Sequence, residues 1–353
     1  MSSIDSKAML VVGATGVIGR RTIEHLDAEG GWRAIGLSRR RPDFSTAAEH
    51  VSVDLMDKED CIDKLGGLNE VTHILYAAYT DRPTWAEQCA PNAQMLENVM
   101  DGVGAAGGAL ERVVLMQGTK YYGSHLGPFK TPALESDPRH LPPNFYFDQQ
   151  DLLMERQPGQ GWTWTCLRPH TVCGFAVGMP MNLVAVIAVY AAISKELGLP
   201  LRFPGTAGGY SSIFQVTDAD LLARAILWAA DAPRAANESF NITNGDFFRW
   251  ETVWPEFADF FGMDYAPPQA IRLADFMADK EAVWQSIVSK HDLMPTPFAQ
   301  AAHWPFGDYI FHQDWDIMSD TLKARQAGFA DCEPSPAMFL RLFAELRDRR
   351  FIP

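Results

Sequence analysis

Three glycines recur at intervals of three near the start of the chain, in Gly13-Ala14-Thr15-Gly16-Val17-Ile18-Gly19. The run follows a short apolar stretch, Met9 to Val12, and opens a segment with Val17, Ile18, Ile23 and Leu26 at helical spacing. At such a strand–turn–helix, glycines allow a tight turn and close backbone approach to a pyrophosphate. The helix N-terminus adds amide donors and the positive end of its dipole. The chemistry implied is dinucleotide binding, with Gly13, Thr15, Gly16, Val17, Ile18 and Gly19 at the phosphates. A site for NAD carries an acidic residue about 20 positions later, for the ribose 2′-hydroxyl. Here that place reads Leu37-Ser38-Arg39-Arg40-Arg41. Arginine binds phosphate bidentately. The expected cofactor is therefore NADP(H), with Arg39 and Arg40, beside Ser38, at its 2′-phosphate. The alternative reading of the triplet is a solvated basic turn.

These residues need elements to hold them. Strands are expected at Met9–Val12, Arg33–Leu37, His50–Asp54, Thr72–Tyr76, Arg112–Met116 and Thr163–Leu167. Helical patterns fall between them: one from Val17 that Gly30-Gly31 stops, then 57–66, 84–107 and 145–156. Apolar strands alternating with helices imply a parallel sheet covered on both faces. The fold class is α/β, a Rossmann-type doubly wound sheet. After residue 175, helices dominate (183–197, 218–231, 251–261, 271–290, 335–349). The reading is a cofactor domain over 1–175 and a smaller, mostly helical substrate part over 176–353. Segments around 210–245 return to the main domain, and Ser239–Thr243 is a strand candidate for the main sheet.

Composition bounds the alternatives. The 353 residues are 47% hydrophobic and 21% charged, which is a globular balance and excludes a disordered chain. Thirty basic against 44 acidic residues give a net charge of −14, which argues against a nucleic-acid or anionic-membrane binder. The five cysteines show no metal-type spacing. No disulfide scaffold or metal site is expected, and a reducing cytoplasm is the default. The opening residues carry neither a basic region nor an apolar core, so no export signal is expected. The longest apolar run, Leu183 to Ile193, is well short of the ~18 residues of a membrane span. Ten tryptophans and 14 methionines are a surplus, and several gather toward the C-terminus.

The glycine spacing resembles that of extended and atypical short-chain dehydrogenases/reductases. By that resemblance Asp54 and Leu55 border the adenine, and Ala77, Ala78 and Tyr79 run beside the ribose and phosphates. Gln117, Gly118, Pro169 and Val172 complete the cofactor set. Typical members pair a tyrosine with a lysine four residues on, but four residues after Tyr146 stands Gln150. The usual dyad is broken. Instead the chain carries Gly118-Thr119-Lys120-Tyr121-Tyr122, Gly127-Pro128-Phe129 and Asn144-Phe145-Tyr146-Phe147-Asp148-Gln149-Gln150-Asp151. Together with Leu167–Phe175, Met181–Leu183, Val189–Ile193, Phe203–Gly205, Asn241–Gly245 and the terminal Phe351–Pro353, it resembles the progesterone 5β-reductase/iridoid synthase-like (PRISE) enone reductases over nearly its whole length. The resemblance implies catalysis by Lys120 and Tyr146 and reduction of an enone or enal C=C bond with NADPH. It also implies a homodimer. Phe147 and Tyr121 stand where the family has a second tyrosine and a histidine.

On the substrate side, Tyr121, Phe147, Phe175, Met179, Met181 and Phe214 are the expected contacts. An aromatic and Met-rich stretch over 265–315 (Phe276, Met277, Trp284, Met294, Phe298, Trp304, Phe306, Tyr309, Phe311, Trp315) suits a hydrophobic chamber, or else the core of the smaller part. Cys173 reads as a packing residue and His170 as a loop-shaping one. Two other functions share the fold: a nucleotide-sugar epimerase or dehydratase, and a non-catalytic NADP-sensing regulator of the NmrA-like kind.

Overall fold

The computed structural model describes residues 7–353; residues 1–6, on which the expectation about an export signal largely rests, lie outside them. Seven parallel strands form the main sheet. In chain order these are β1 (Lys7–Val12), β2 (Trp32–Leu37), β3 (Glu49–Val51), β4 (His73–Tyr76), β5 (Arg112–Met116), β6 (Thr163–Pro169) and the strand Glu238–Ile242. Across the sheet they run β3-β2-β1-β4-β5-β6-(Glu238–Ile242). The order reverses between β1 and β4, and a crevice opens there at the carboxyl ends of the strands.

The apolar runs that mark the strands are sorted by pleating. Met9 and Val11 of β1 belong to one core, Leu10 and Val12 to the other. Neighbouring side chains on a strand point to opposite faces. The first face is covered by α1 (Val17–Glu29) and the helix Ala219–Asp231. The second is covered by α2 (Lys58–Leu65), α3 (Trp85–Ala105) and α4 (Phe145–Arg156).

The later part of the chain is interleaved with the sheet. Ala219–Asp231 packs on the main body, and Glu238–Ile242 pairs in parallel register with β6, Phe240 opposite Leu167. A third core surrounds α5 (Leu183–Glu196), which is buried continuously from Leu183 to Ser194. A helix apolar all round is the center of a core rather than an amphipathic cover, which accounts for the longest apolar run. The single helix expected over 271–290 is two, Leu273–Phe276 and Glu281–Lys290. The break turns Met277 into the third core. Among the described residues no helix is long and apolar enough to cross a membrane.

Candidate active site

The glycine loop sits in the crevice. Gly13 has φ of +94°, and a Cβ built on it would lie 3.0 Å from the Ala77 carbonyl carbon and oxygen and 3.1 Å from the Ala78 nitrogen. Only glycine lets β1 and the end of β4 approach this closely without strain. A Cβ on Gly19 would fall 2.3 Å from the Gly13 oxygen, so α1 is seated directly on the loop. The N-cap of α1 is Gly16, with no side-chain cap and no acidic residue in the first turn. The helix amides are therefore left for an anion. Thr15 is half-buried at the rim, Ile18 packs on the first core, and a Cβ on Gly174 would meet Val17 at 3.0 Å.

The arginine triplet is exposed, but its backbone is held. Ser38 donates to the Arg40 carbonyl at 2.6 Å and Ser52 to the Arg39 carbonyl at 3.1 Å. Among the described residues none of the three guanidinium groups forms an ion pair with a carboxylate. A fixed loop presenting unneutralised arginines fits a phosphate better than a loose solvated turn does. Asp54 is exposed and its carboxylate accepts from the Met56 amide at 3.0 Å. Leu55 is anchored by Asn98, which donates to its carbonyl at 2.8 Å. The Tyr79 hydroxyl donates to Asp81 at 2.7 Å. Gln117 is buried; its amide donates to the Tyr146 carbonyl at 2.9 Å and its oxygen accepts from Arg168 at 2.8 Å. Val172 pairs with Thr217.

Tyr146 and Lys120 come from α4 and from the short turn after β5. A Cβ on Gly118 would meet the Tyr146 hydroxyl at 3.3 Å and the Pro169 carbonyl at 3.4 Å, so the phenol lies over the ends of β5 and β6. Burial, and secondarily the neighbouring Tyr309, push that hydroxyl above the usual tyrosine value, so it remains a donor. The Lys120 ammonium lies 5.1 Å from the Trp85 ring center and 5.4 Å from that of Tyr309. Such cation–π contacts hold a charge that lacks a counter-ion. Burial lowers its pKa, with the negative charge of Asp81 opposing. Among the described residues no carboxylate pairs with it. Tyr309 is thus a shared neighbour of both groups.

One residue ties the pair together that the sequence alone did not single out. Asn144 is buried, accepts from the Tyr146 amide at 3.0 Å as the cap of α4, and donates to the Lys120 carbonyl at 2.9 Å. An asparagine just before a helical pattern is a capping signal; its second bond is long-range and leaves no trace in spacing. Asn144→Ala is expected to cost about 1–2 kcal/mol of stability and to lower turnover about fivefold through the displaced pair. Thermal unfolding and steady-state rates check both.

Gln150 stands where a lysine would follow Tyr146. Its oxygen faces Arg168 at 3.3 Å and Gln117 at 3.4 Å, inside a buried polar network. Arg168 itself is 1% exposed, lies 3.4 Å from the Tyr121 ring center and bonds the Tyr122 hydroxyl at 3.0 Å. A second buried cation at position 150 would face this one.

An open cavity of about 500 Å³ adjoins Tyr309, lined also by His125, Arg272, His312, Gln313 and Trp315. That volume suits a small organic ligand. His125 stacks on Trp85 at 4.0 Å; burial, then Lys120 and His140, push its pKa down to about 4. Its Nδ1 and the Trp315 indole N–H are buried without partners. The expected substrate contacts are dispersed. Tyr121 and Phe147 pack on each other at 4.9 Å in a small buried cluster. Phe175 lies between the guanidinium groups of Arg20 (4.8 Å) and Arg349 (4.5 Å). Met181 is exposed, Met179 half-buried, and Phe214 buried against His170 at 4.9 Å. Of the aromatic stretch over 265–315, Tyr309 and Trp315 line the cavity, whereas Trp284 and Phe311 are core and Phe276 is exposed.

The sequence model of the PRISE-like Rossmann-fold domain matches residues 50–353. The chain belongs to this PRISE-like family. The match begins after the glycine loop and arginine triplet and takes in Lys120 and Tyr146. An (S)-8-oxocitronellyl enol synthase of Nepeta racemosa is 36% identical, covering 98% of this chain and 91% of its own. A 3-oxo-Δ(4,5)-steroid 5β-reductase of Arabidopsis thaliana is 33% identical, over 98% and 92%. In fold, the PRISE-like chain is similar to the UDP-glucose 4-epimerase of Thermotoga maritima, solved with UDP-glucose, with a TM-score of 0.70. The two share 16% identity, and the match covers 97% of this chain and 99% of that one; this likeness concerns fold alone.

Proposed function

We propose that this PRISE-like chain is an NADPH-dependent reductase of activated C=C bonds, acting on a hydrophobic enone or enal. The observation that carries the reading is the Tyr146 hydroxyl set against Gly118 while the unpaired Lys120 ammonium shares its neighbour Tyr309. The relatives' names, an enol synthase and a steroid 5β-reductase, agree with it. The glycine cradle and the three arginines fit NADP(H): Gly13, Gly16 and Gly19 would hold the pyrophosphate, Arg39 and Arg40 the 2′-phosphate. When bound, the reduced nicotinamide supplies a hydride to the β-carbon of the enone.

The chain's own residues then manage charge. The C=C π pair moves onto the carbonyl oxygen as an enolate. Tyr146 donates a hydrogen bond to that oxygen and Lys120 places a positive charge near it. The α-carbon takes its proton from water. An epimerase would need the tyrosine to exchange a proton with a sugar hydroxyl, helped by a lysine one turn on. Gln150, locked to Arg168, cannot give that help. Phe147 packs on Tyr121, and Arg139 lies 4.9 Å from its ring center. The atoms nearest a Cβ on Gly118 belong to Tyr146 and Pro169 and none to Phe147, which favours Tyr146 as the donor.

The first test is NADPH oxidation, followed by loss of absorbance, with 2-cyclohexen-1-one, progesterone and linear enals. No consumption across the panel rejects the reading. A second outcome concerns pH. Burial disfavours the Lys120 ammonium, so its pKa lies below the usual lysine value of 10.5. Rate that depends on the charged form is present below that pKa and lost as pH rises through it. The wild type should show this falling alkaline limb in kcat/KM, and Lys120→Met should lack it.

A further inference from the structure

His170 has a place in this site that packing alone does not explain. It follows β6 directly, and its peptide group is bonded at both ends by Thr217. The His170 N–H donates to Thr217 Oγ1 at 3.1 Å, and that hydroxyl stands 3.0 Å from the His170 carbonyl. Nδ1 lies 2.5 Å from Thr119 Oγ1, and the ring meets Phe214 edge-on at 4.9 Å and 68°. The residue is 5% exposed. Backbone, Nδ1 and ring face are therefore all fixed. Nε2 alone has no partner, although it is buried. A buried ring nitrogen is normally satisfied, and an orphan of this kind calls for a group that completes it.

The neighbours say which group. Thr119, which holds Nδ1, is followed by Lys120. A Cβ on Gly118, which precedes it, would meet the Tyr146 hydroxyl at 3.3 Å and, at 3.4 Å, the carbonyl of Pro169, the residue before His170. The imidazole is thus built into the same few ångströms of backbone as the proposed catalytic pair. Burial, and then the charge of Lys120, push its pKa down to about 3. It is neutral at any working pH, and a neutral imidazole has one donor and one acceptor nitrogen. A second cation beside Lys120 is thereby avoided.

We propose that His170, with Thr119 donating to Nδ1 and the hydrogen on Nε2, donates a third hydrogen bond to the carbonyl oxygen of the enone, alongside Tyr146 and Lys120. The bond strengthens as the oxygen gains charge, so it acts on turnover more than on substrate binding. The proposal rests on the enone reductase reading above.

Two replacements separate the nitrogens. The His170→Asn amide reaches the place of Nδ1 and keeps the Thr119 contact; the His170→Gln amide reaches the place of Nε2. With 2-cyclohexen-1-one as substrate, His170→Asn is expected to lower kcat about tenfold, and His170→Gln to stay within about threefold of wild type. NADPH Kd, read by fluorescence, should move less than about twofold in both. Three results overturn the proposal: full turnover in His170→Asn, equal loss in both variants, or a rise in NADPH Kd that matches the loss of rate. Should His170→Asn not fold, Thr119→Val carries the test. Freeing the ring should lower kcat about fivefold at constant NADPH Kd, and unchanged kcat overturns it. A wild type inactive on every enone rejects the functional reading and this proposal with it. An active wild type with an unaffected His170→Asn rejects this proposal alone.

Discussion

Tyr146→Phe is expected to lower kcat about 100-fold, the usual effect of removing one donor to a developing oxyanion. The ring remains, so Phe145, which packs on it at 4.4 Å, keeps its contact. The helix cap from Asn144 uses the backbone and is untouched. Stability and NADPH Kd should therefore hold, and the loss should appear in kcat rather than KM. Lys120→Met is expected to act similarly, because the thioether fills the space between Trp85 and Tyr309 but carries no charge. The double variant should lose less than the product of the two effects, because the proposed roles of both groups fall on one oxygen. Steady-state kinetics with an enone, beside thermal unfolding, decides this. Unchanged kcat in Tyr146→Phe removes the phenol from the chemistry.

The second large effect concerns the cofactor. Arg39→Ala/Arg40→Ala should weaken NADPH binding about 30-fold and leave NADH within about twofold, because charge-assisted bonds to a single phosphate are lost. The side chains are exposed, so salt screens them. Raising ionic strength should weaken NADPH binding to the wild type far more than to the double variant. The loop itself should survive, because Ser38 and Ser52 hold it through carbonyl oxygens. Titration of both cofactors by fluorescence reads the difference. Equal weakening of NADPH and NADH would assign the arginines to the loop's structure instead.

What could be read without coordinates was local. The glycine spacing, the strand alternation and the missing lysine after Tyr146 are each contained in a few consecutive residues. The six N-terminal strands and the helix 145–156 follow from them. What could not be read was juxtaposition. The Asn144 clamp spans 24 residues, and Tyr309 reaches Lys120 across a far longer stretch. Arg168 as the occupant facing Gln150 has no local signature. The tryptophan surplus shows the same limit. Trp250, Trp254 and Trp284 are nearly inaccessible core residues, and Trp315 lines the cavity. Composition cannot tell a core tryptophan from one that faces a ligand, because both satisfy the same apolar pattern.

The pairing of Glu238–Ile242 with β6 bears on how the chain is made. While the ribosome is still adding residues 170–237, the outer edge of β6 has no partner. An open strand edge is a template for pairing with another chain, and a sheet closed by so distant a segment folds slowly. A fragment ending at residue 175 would keep that edge permanently. Truncation there would thus produce a self-associating protein, and in cells a chaperone has most reason to bind before the last strand of the main sheet emerges.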